Sequence, residues 1–324
     1  MALVVASNVL DGVLALDKPP GWTSHDVVAK LRGTFRGAKV GHAGTLDPAA
    51  TGVLPILIGQ ATRIAEYLVE WDKEYCAVLR LGATTDTQDA TGEVLERKPV
   101  PTLSLEQVES VARRFEGVVS QIPPMYSAVK VAGVPLYRSA RAGKVVAREP
   151  RPVTIHELRV VALNGDDITL RVRCSKGTYI RTLCADLGAV LGCGGHLLSL
   201  RRTRVGPLTL DHAVKLEDVD RGSLAGSGCG WLFSLDRVLS DRPAVVVDEM
   251  TAERVTHGVP VPWAAIGGEA IPAGAPAGSA LVRIKDERGR LLAIGSLAGS
   301  GGGERDTHQG ASAIRIRKVL AGHT

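Results

Sequence analysis

Apolar residues along the chain follow two periods. Ile168, Leu170 and Val172 alternate with Thr169, Arg171 and Arg173, the spacing of a half-buried strand. With the residues from 154 onward this predicts a hairpin turning at Asn164-Gly165. Tyr75 to Leu81 alternates in the same way, and Val53 to Ile58 is a short continuous apolar run that suits a buried strand. Helical spacing places Val27, Val28 and Leu31 on one face of a helix capped by Ser24, running through Arg32 and closed by Gly33. Gln60 to Val69 also reads as helix. Ser104 and Gln107 form a capping box ahead of the stripe Leu105, Val108, Val111, Ala112 and Phe115, which Gly117 ends. A further amphipathic helix is predicted over 178–191, with Ile180, Leu183, Leu187 and Leu191 together and Gly192 behind. Helices mixed with hairpins favour a mixed α/β or α+β sheet over a doubly wound one.

Two stretches break this pattern. Residues 131–152 carry Arg138, Arg141, Lys144, Arg148 and Arg151 with few large apolar side chains, so an exposed basic excursion is expected. Near Ser240 to Pro243 the chain changes to short strand-like pieces, Ala244–Val247, Ala280–Ile284 and Leu291–Gly295, spaced by Gly, Pro and Ala. Gly299 to Gly303 reads as a flexible loop, and Ala313 to Leu320 alternates Ile and Val with Arg and Lys. The expected organisation is a large domain over 1–240 and a small β-rich, barrel-like domain over 243–324.

Composition narrows the function. With 324 residues and 45% hydrophobic content, a core can form without staples. Lys and Arg total 39 against 34 acids, a mild excess that suits a polyanionic partner. Met1 to Leu10 is apolar but lacks a basic start and does not read as a signal peptide. The five cysteines are scattered with no CxxC pair, which reads as reduced thiols in a cytoplasmic protein. Walker A, HExxH, Gly-x-Ser-x-Gly and strand-borne GxGxxG signatures are missing, against kinase, NTPase and dehydrogenase chemistry.

The most unusual stretch is Gly41-His42-Ala43-Gly44-Thr45-Leu46-Asp47-Pro48-Ala49-Ala50-Thr51-Gly52. Its glycines permit tight turns and close approach of a ligand, and His42 and Asp47 are its titratable groups. Taken singly, Asp-Pro is an ordinary turn or helix start, and a lone His is more often packed than catalytic. Leu16 to Ser24 could likewise be a strand-turn-helix corner, Gln121 to Lys130 a rigid proline turn, and Cys174 to Leu183 a plain helix entry.

Taken together they are less ordinary. The blocks LDKPPGWTS at 16–24, GHAGTLDPAATGVLP at 41–55, LGATTDTQDATG at 81–92, PPMYSAVK at 123–130, CSKGTYIRTL at 174–183 and LGCGGHLLSLRRTRVG at 191–206 stand in the order of one family. The set closely resembles the bacterial tRNA pseudouridine-55 synthases, the TruB family, across most of residues 11–210. The resemblance implies the pseudouridine synthase fold, a mixed and largely antiparallel sheet followed by a PUA-like RNA-binding domain. It also implies an isomerase needing no cofactor, acting on the T-arm of tRNA, most simply as a monomer. Uridine and pseudouridine contain the same atoms: the N-glycosidic bond breaks, the uracil turns, and C5 is joined to the ribose.

Roles then transfer residue by residue. Asp47, in GTLDP, is the implied catalytic carboxylate, attacking the sugar or removing its 2′ proton. Arg181 is the cation that keeps it ionised and aimed, its fork suited to bidentate pairing. Tyr75 stacks on the uracil, Tyr179 lines the pocket, Leu200 is an apolar wall, and Lys18 supports the site. The target base must leave its stack, and His42 is expected to fill the gap or hold the flipped strand. Arg138, Arg141, Lys144 and Arg148 would clamp T-arm phosphates. Two other classes compete with this reading: an RNA chaperone that needs no Asp47, and a carboxylate hydrolase, for which Asp86 and Asp89 look more like a strand-end turn than a second acid.

Overall fold

The computed structural model describes residues 10–127, 129–219, 231–262, 265–266, 281–297 and 312–321. The expected loop at Gly299 to Gly303 and most of the apolar N-terminus lie outside them.

The chain is α+β. A large mixed sheet runs in the order Val214–Lys215, Gly12–Lys18, Thr51–Ile58, Gly195–Val205, Lys73–Leu81, Asp167–Cys174, Arg151–Asn164 and Gly117–Gln121. Most neighbours are antiparallel, while Gly12–Lys18 with Val214–Lys215 and Thr51–Ile58 with Gly195–Val205 are parallel. The second parallel pairing is short, registering only Arg201 with Thr51 and Arg202 with Gly52.

Both sheet faces are covered at its centre. Leu14, Leu16, Leu54, Ile56 and Ile58 face one apolar cluster; Val13, Ala15, Val53 and Leu57 face another. This is why Gly12–Lys18 shows no alternation and escapes a period-based reading: every side chain from Val13 to Leu16 is buried. Each such Val, Leu or Ile contributes about 1.5–3 kcal/mol by leaving water. The outer strand Asp167–Cys174 does alternate, with Ile168, Leu170 and Val172 inward and Arg171 and Arg173 exposed. It pairs with Arg151–Asn164 as expected, though the two turn residues are Gly165 and Asp166 because Asn164 already pairs with Asp167.

Several elements shift from expectation for local reasons. The first helix spans Ser24–Thr34, but its cap is Thr23, whose hydroxyl accepts from the Asp26 amide while the Asp26 carboxylate accepts from the Thr23 amide. That frees Ser24 to bond the Leu46 backbone instead. The segment read as one helix over 60–69 is a 3-10 helix, Gly59–Ile64, followed by one α-turn, Ala65–Leu68. The Ser104–Gln107 box caps Leu105–Arg113 as predicted. The basic excursion is more ordered than a loop: a hairpin of Lys130–Val131 and Val134–Pro135 leads into the helix Leu136–Arg141.

A separate five-stranded sheet orders Ala244–Val247, Leu281–Asp286, Leu291–Leu297, Ser312–Val319 and Val261–Pro262, with a helix, Glu249–Thr256, capped by Asp248. Ile294 and Leu320 join the apolar cluster that holds Leu68 and Trp71, so this sheet packs against the large one. Among the described residues no helix is long and apolar enough to cross a membrane.

Candidate active site

The loop from Ala43 to Ala50 sits where the two parallel strands meet. Its backbone is pinned throughout. Ala43 donates to the Pro55 carbonyl at 3.0 Å, Gly21 donates to the Pro48 carbonyl at 2.9 Å, and Ala50 donates to the Asp47 carbonyl at 3.1 Å. The Ser24 hydroxyl donates to the Leu46 carbonyl at 3.3 Å and accepts from the Leu46 amide at 3.0 Å. Gly44 adopts φ +90° and Gly52 φ +100°. At Gly52 a Cβ would stand 2.1 Å from the Arg202 carbonyl oxygen, so only glycine lets the strands close.

Asp47 projects from this loop with its side chain 44% exposed and its carboxylate 3.0 Å from Arg181 Nε. Burial raises the Asp47 pKa above the ordinary carboxylate range, with Asp89 adding to the effect and Arg181 and Lys18 opposing it. The carboxylate is thus half-exposed, yet held against protein on its Arg181 side.

Arg181 stands at the start of the helix Ile180–Val190 and is itself buried. The expected fork-to-fork pairing with Asp47 is not formed. Nε alone takes Asp47, while Nη1 donates to the Thr87 carbonyl at 3.2 Å and Nη2 to the Tyr126 carbonyl at 2.8 Å. The Asp89 carboxylate lies 3.8 Å from Nη1. One guanidinium therefore joins the Asp47 loop, the 85–92 turn and the proline-rich turn before residue 127. Asp89 does belong to a strand-end turn, accepting from the Thr87 hydroxyl at 2.8 Å and the Thr91 amide at 2.9 Å. Its approach to Arg181 is a second role that the Thr-rich spacing concealed.

Lys18, at the end of Gly12–Lys18, is fully buried and donates to the carbonyls of Pro19 at 2.9 Å, Trp22 at 2.8 Å and Pro48 at 3.1 Å. Burial lowers its pKa to about 8, against the pull of Asp47. Tyr75 lies in Lys73–Leu81, 8% exposed and paired across the sheet with Arg202; burial raises its pKa, against the Arg202 charge. Tyr179 caps the arginine helix, its amide donating to the Gln121 side-chain oxygen at 3.0 Å and its carbonyl accepting from the Gln121 side-chain nitrogen at 3.3 Å. Both tyrosines and Lys18 feel the Asp47 charge, so the four groups lie near one another. Leu200 is half-buried on Gly195–Val205, opposite Ala77.

His42 ends a short strand, Val40–His42, beside the exposed His25, with ring centroids 5.4 Å apart and edge to face. Its Nδ1 is buried without a hydrogen-bond partner, and burial, then His25 and Arg202, lower its pKa to about 4. A neutral ring suits packing against a base better than proton transfer. The basic residues stand apart from this cluster. Arg138, Arg141 and Lys144 are exposed, Arg141 over the Tyr137 ring at 5.7 Å. Arg148 differs: its guanidinium donates to the Pro123 carbonyl at 3.1 Å, holding the proline turn.

The TruB family pseudouridylate synthase model for the N-terminal domain matches residues 32–180, and the tRNA pseudouridylate synthase B C-terminal domain model matches 181–241. The chain belongs to the TruB family of pseudouridylate synthases. A TruB relative from Stutzerimonas stutzeri, named tRNA pseudouridine synthase B, is 46% identical over 297 residues, covering 90% of this chain and 93% of that protein. One of the same name from Burkholderia lata is 48% identical over 262 residues, 81% of each. Among solved structures, a Cbf5-Nop10-Gar1 complex aligns with TM-score 0.74 at 29% identity, covering 96% of this chain and 85% of that one. An H/ACA RNP bound to a substrate RNA containing 2′-deoxyuridine aligns with TM-score 0.73 at 27% identity, with the same coverage. As a TruB member the chain has the pseudouridine synthase fold and the isomerase activity that the sequence blocks implied.

Arg202 was not singled out by the sequence, although it lies in a quoted block. An arginine flanked by Arg201 and Arg204 on a strand reads as one more surface cation; here Arg202 is 1% exposed.

Proposed function

We propose that the chain converts the T-loop uridine at tRNA position 55 to pseudouridine, with Asp47 as the carboxylate that acts on the ribose. The observation that carries this reading is the half-exposed Asp47 carboxylate held 3.0 Å from the buried Arg181. The uridine enters flipped out of its stack, and its uracil lies against Tyr75, with Tyr179 and Leu200 as walls. Asp47 engages the sugar while the bond from C1′ to N1 breaks; the released uracil turns, C1′ bonds to C5, the C5 proton leaves and N1 gains one. Every atom of the base is kept, so the reaction is an isomerisation. Arg181 holds Asp47 at a fixed angle as charge moves through the carboxylate. Lys18 fixes the Pro48 carbonyl next to it.

His42 fills the space that the base vacates. Arg138, Arg141 and Lys144 meet the T-arm phosphates, which are read by shape and charge. The five-stranded C-terminal sheet acts as a PUA-like module and forms, from about residue 243, a second domain. The protein works as a cytoplasmic monomer, and its exposed cations support tRNA annealing that does not depend on Asp47.

The experiment is incubation of unmodified T-arm RNA with wild type and Asp47→Asn, with pseudouridine detected by chemical labelling because the mass does not change. Wild type converts the T-loop uridine, while Asp47→Asn binds the RNA and converts none. Turnover by Asp47→Asn, or conversion at another uridine, overturns the assignment.

A further inference from the structure

Three buried cations lie beneath the active-site loop: Lys18, Lys73 and Arg202. Arg202 is the most enclosed of the arginines there. Its Nε donates to the Val53 carbonyl at 2.7 Å, Nη2 to the Gly44 carbonyl at 3.0 Å and Nη1 to the Thr45 carbonyl at 3.3 Å. Across the sheet it pairs with Tyr75, whose phenol feels its charge. No carboxylate lies within ion-pair distance of it among the described residues, and the acid whose charge reaches it is Asp47. A buried guanidinium that gives its donors to backbone carbonyls is costly to keep charged. Its neighbours are the root of the Asp47 loop on one side and the ring of Tyr75 on the other.

We propose that Arg202 is a positioning residue that joins the Asp47 loop to the Tyr75 phenol, so that carboxylate and stacking ring are set as one unit. The inference rests on the roles given to Asp47 and Tyr75 above. Arg202 touches neither sugar nor base. It fixes the height of Gly44 and Thr45, and with them the reach of Asp47, while its place opposite Tyr75 across the sheet sets the phenol and its ring. Tyr75 therefore serves through its hydroxyl as well as its face. Arg202 also adds positive potential beneath Asp47, favouring the ionised carboxylate.

The test is a cycle of Arg202→Lys, Tyr75→Phe and the double variant, read by single-turnover pseudouridine formation and by T-arm RNA affinity. Misplacing reacting groups by about 1 Å costs on the order of a hundredfold in rate, and a loss of that order is expected for Arg202→Lys with affinity retained. The double variant should be no slower than the slower single one, because both break the same link. Arg202→Gln, which removes the charge, should move the acid limb of the rate profile to higher pH, a change that mere loosening of the core does not produce. If Arg202→Lys and Arg202→Gln do not fold, Tyr75→Phe alone remains decisive: a wild-type rate for it overturns the proposal. Fully additive losses, or equal losses of rate and affinity, overturn it as well. Asp47→Asn is run alongside. If that variant is inert while Arg202→Lys is as fast as wild type, the Arg202 role alone fails; if Asp47→Asn turns over, the underlying reading fails first.

Discussion

Arg181→Lys separates charge from geometry at the site. The wild-type guanidinium serves three directions at once: Asp47 at 3.0 Å, the Thr87 carbonyl at 3.2 Å and the Tyr126 carbonyl at 2.8 Å. A lysine keeps the charge but offers one donor centre, so it can follow Asp47 or the carbonyls, not all of them. A buried carbonyl left without its donor costs about 1–3 kcal/mol. With water admitted beside the half-exposed Asp47, the lower half of that range is expected for each of the two carbonyl bonds, a total of about 2–4 kcal/mol in stability. The effect on chemistry is separate. If Asp47 loses its fixed angle, a rate loss on the order of a hundredfold follows, about 2.7 kcal/mol of barrier. The assay is single-turnover conversion of T-arm RNA with enzyme in excess, beside RNA affinity at the same salt and urea unfolding. Rate should fall by about two orders of magnitude while affinity stays within about threefold, since Arg181 lies under the carboxylate and not on the RNA surface. Equal losses of rate and affinity, or a rate within about threefold of wild type, would show that Arg181 does not set the angle of Asp47.

Other outcomes follow from the same contacts. Lys18→Met removes the donor to the Pro19, Trp22 and Pro48 carbonyls, and unfolding in urea should show a loss of about 2–4 kcal/mol, with a slower reaction in whatever remains folded. Replacing Arg138, Arg141 and Lys144 together by serine should weaken RNA binding and lower the slope of log affinity against log salt by up to about 2–3, at roughly 0.7–0.9 per lost phosphate contact; an unchanged slope removes the clamp. Arg148 is left out of that set because its bond to Pro123 makes its loss structural. Asp47 must be ionised to act, and its pKa is raised above the ordinary carboxylate value, so single-turnover rate should fall with decreasing pH before an unperturbed aspartate would begin to protonate. A rate flat down to the ordinary aspartate range contradicts the burial argument.

The chain shows plainly what it alternates and hides what it buries on both sides. Strand Asp167–Cys174 is legible because its arginines face water, while Gly12–Lys18 is not, because two apolar clusters claim its successive residues. The helix cap was misplaced by one residue: Thr23 and Ser24 both carry a suitable hydroxyl, and the choice is made by Asp26, which closes its box with Thr23. The Asp47 loop stood out through its residue order alone. Its support Lys18 was legible only through the resemblance of its block, and Arg202 not at all, since both act on backbone carbonyls and leave no complementary acid to notice. Likewise nothing in the spacing of Thr87, Tyr126 and Arg181 foretells that one guanidinium meets all three segments.

The seam between Thr51–Ile58 and Gly195–Val205 is narrow. Only two residue pairs stitch the halves of the great sheet there, and they are Arg201 with Thr51 and Arg202 with Gly52. One residue of this joint, Arg202, is also the one whose side chain bonds the Gly44 and Thr45 carbonyls of the Asp47 loop. Sheet integrity and catalytic alignment cannot drift independently. A substitution that pries this joint open to admit a bulkier substrate also undoes the hinge on which the reaction turns, so this part of the enzyme resists gradual remodelling, while its rim stays open to change.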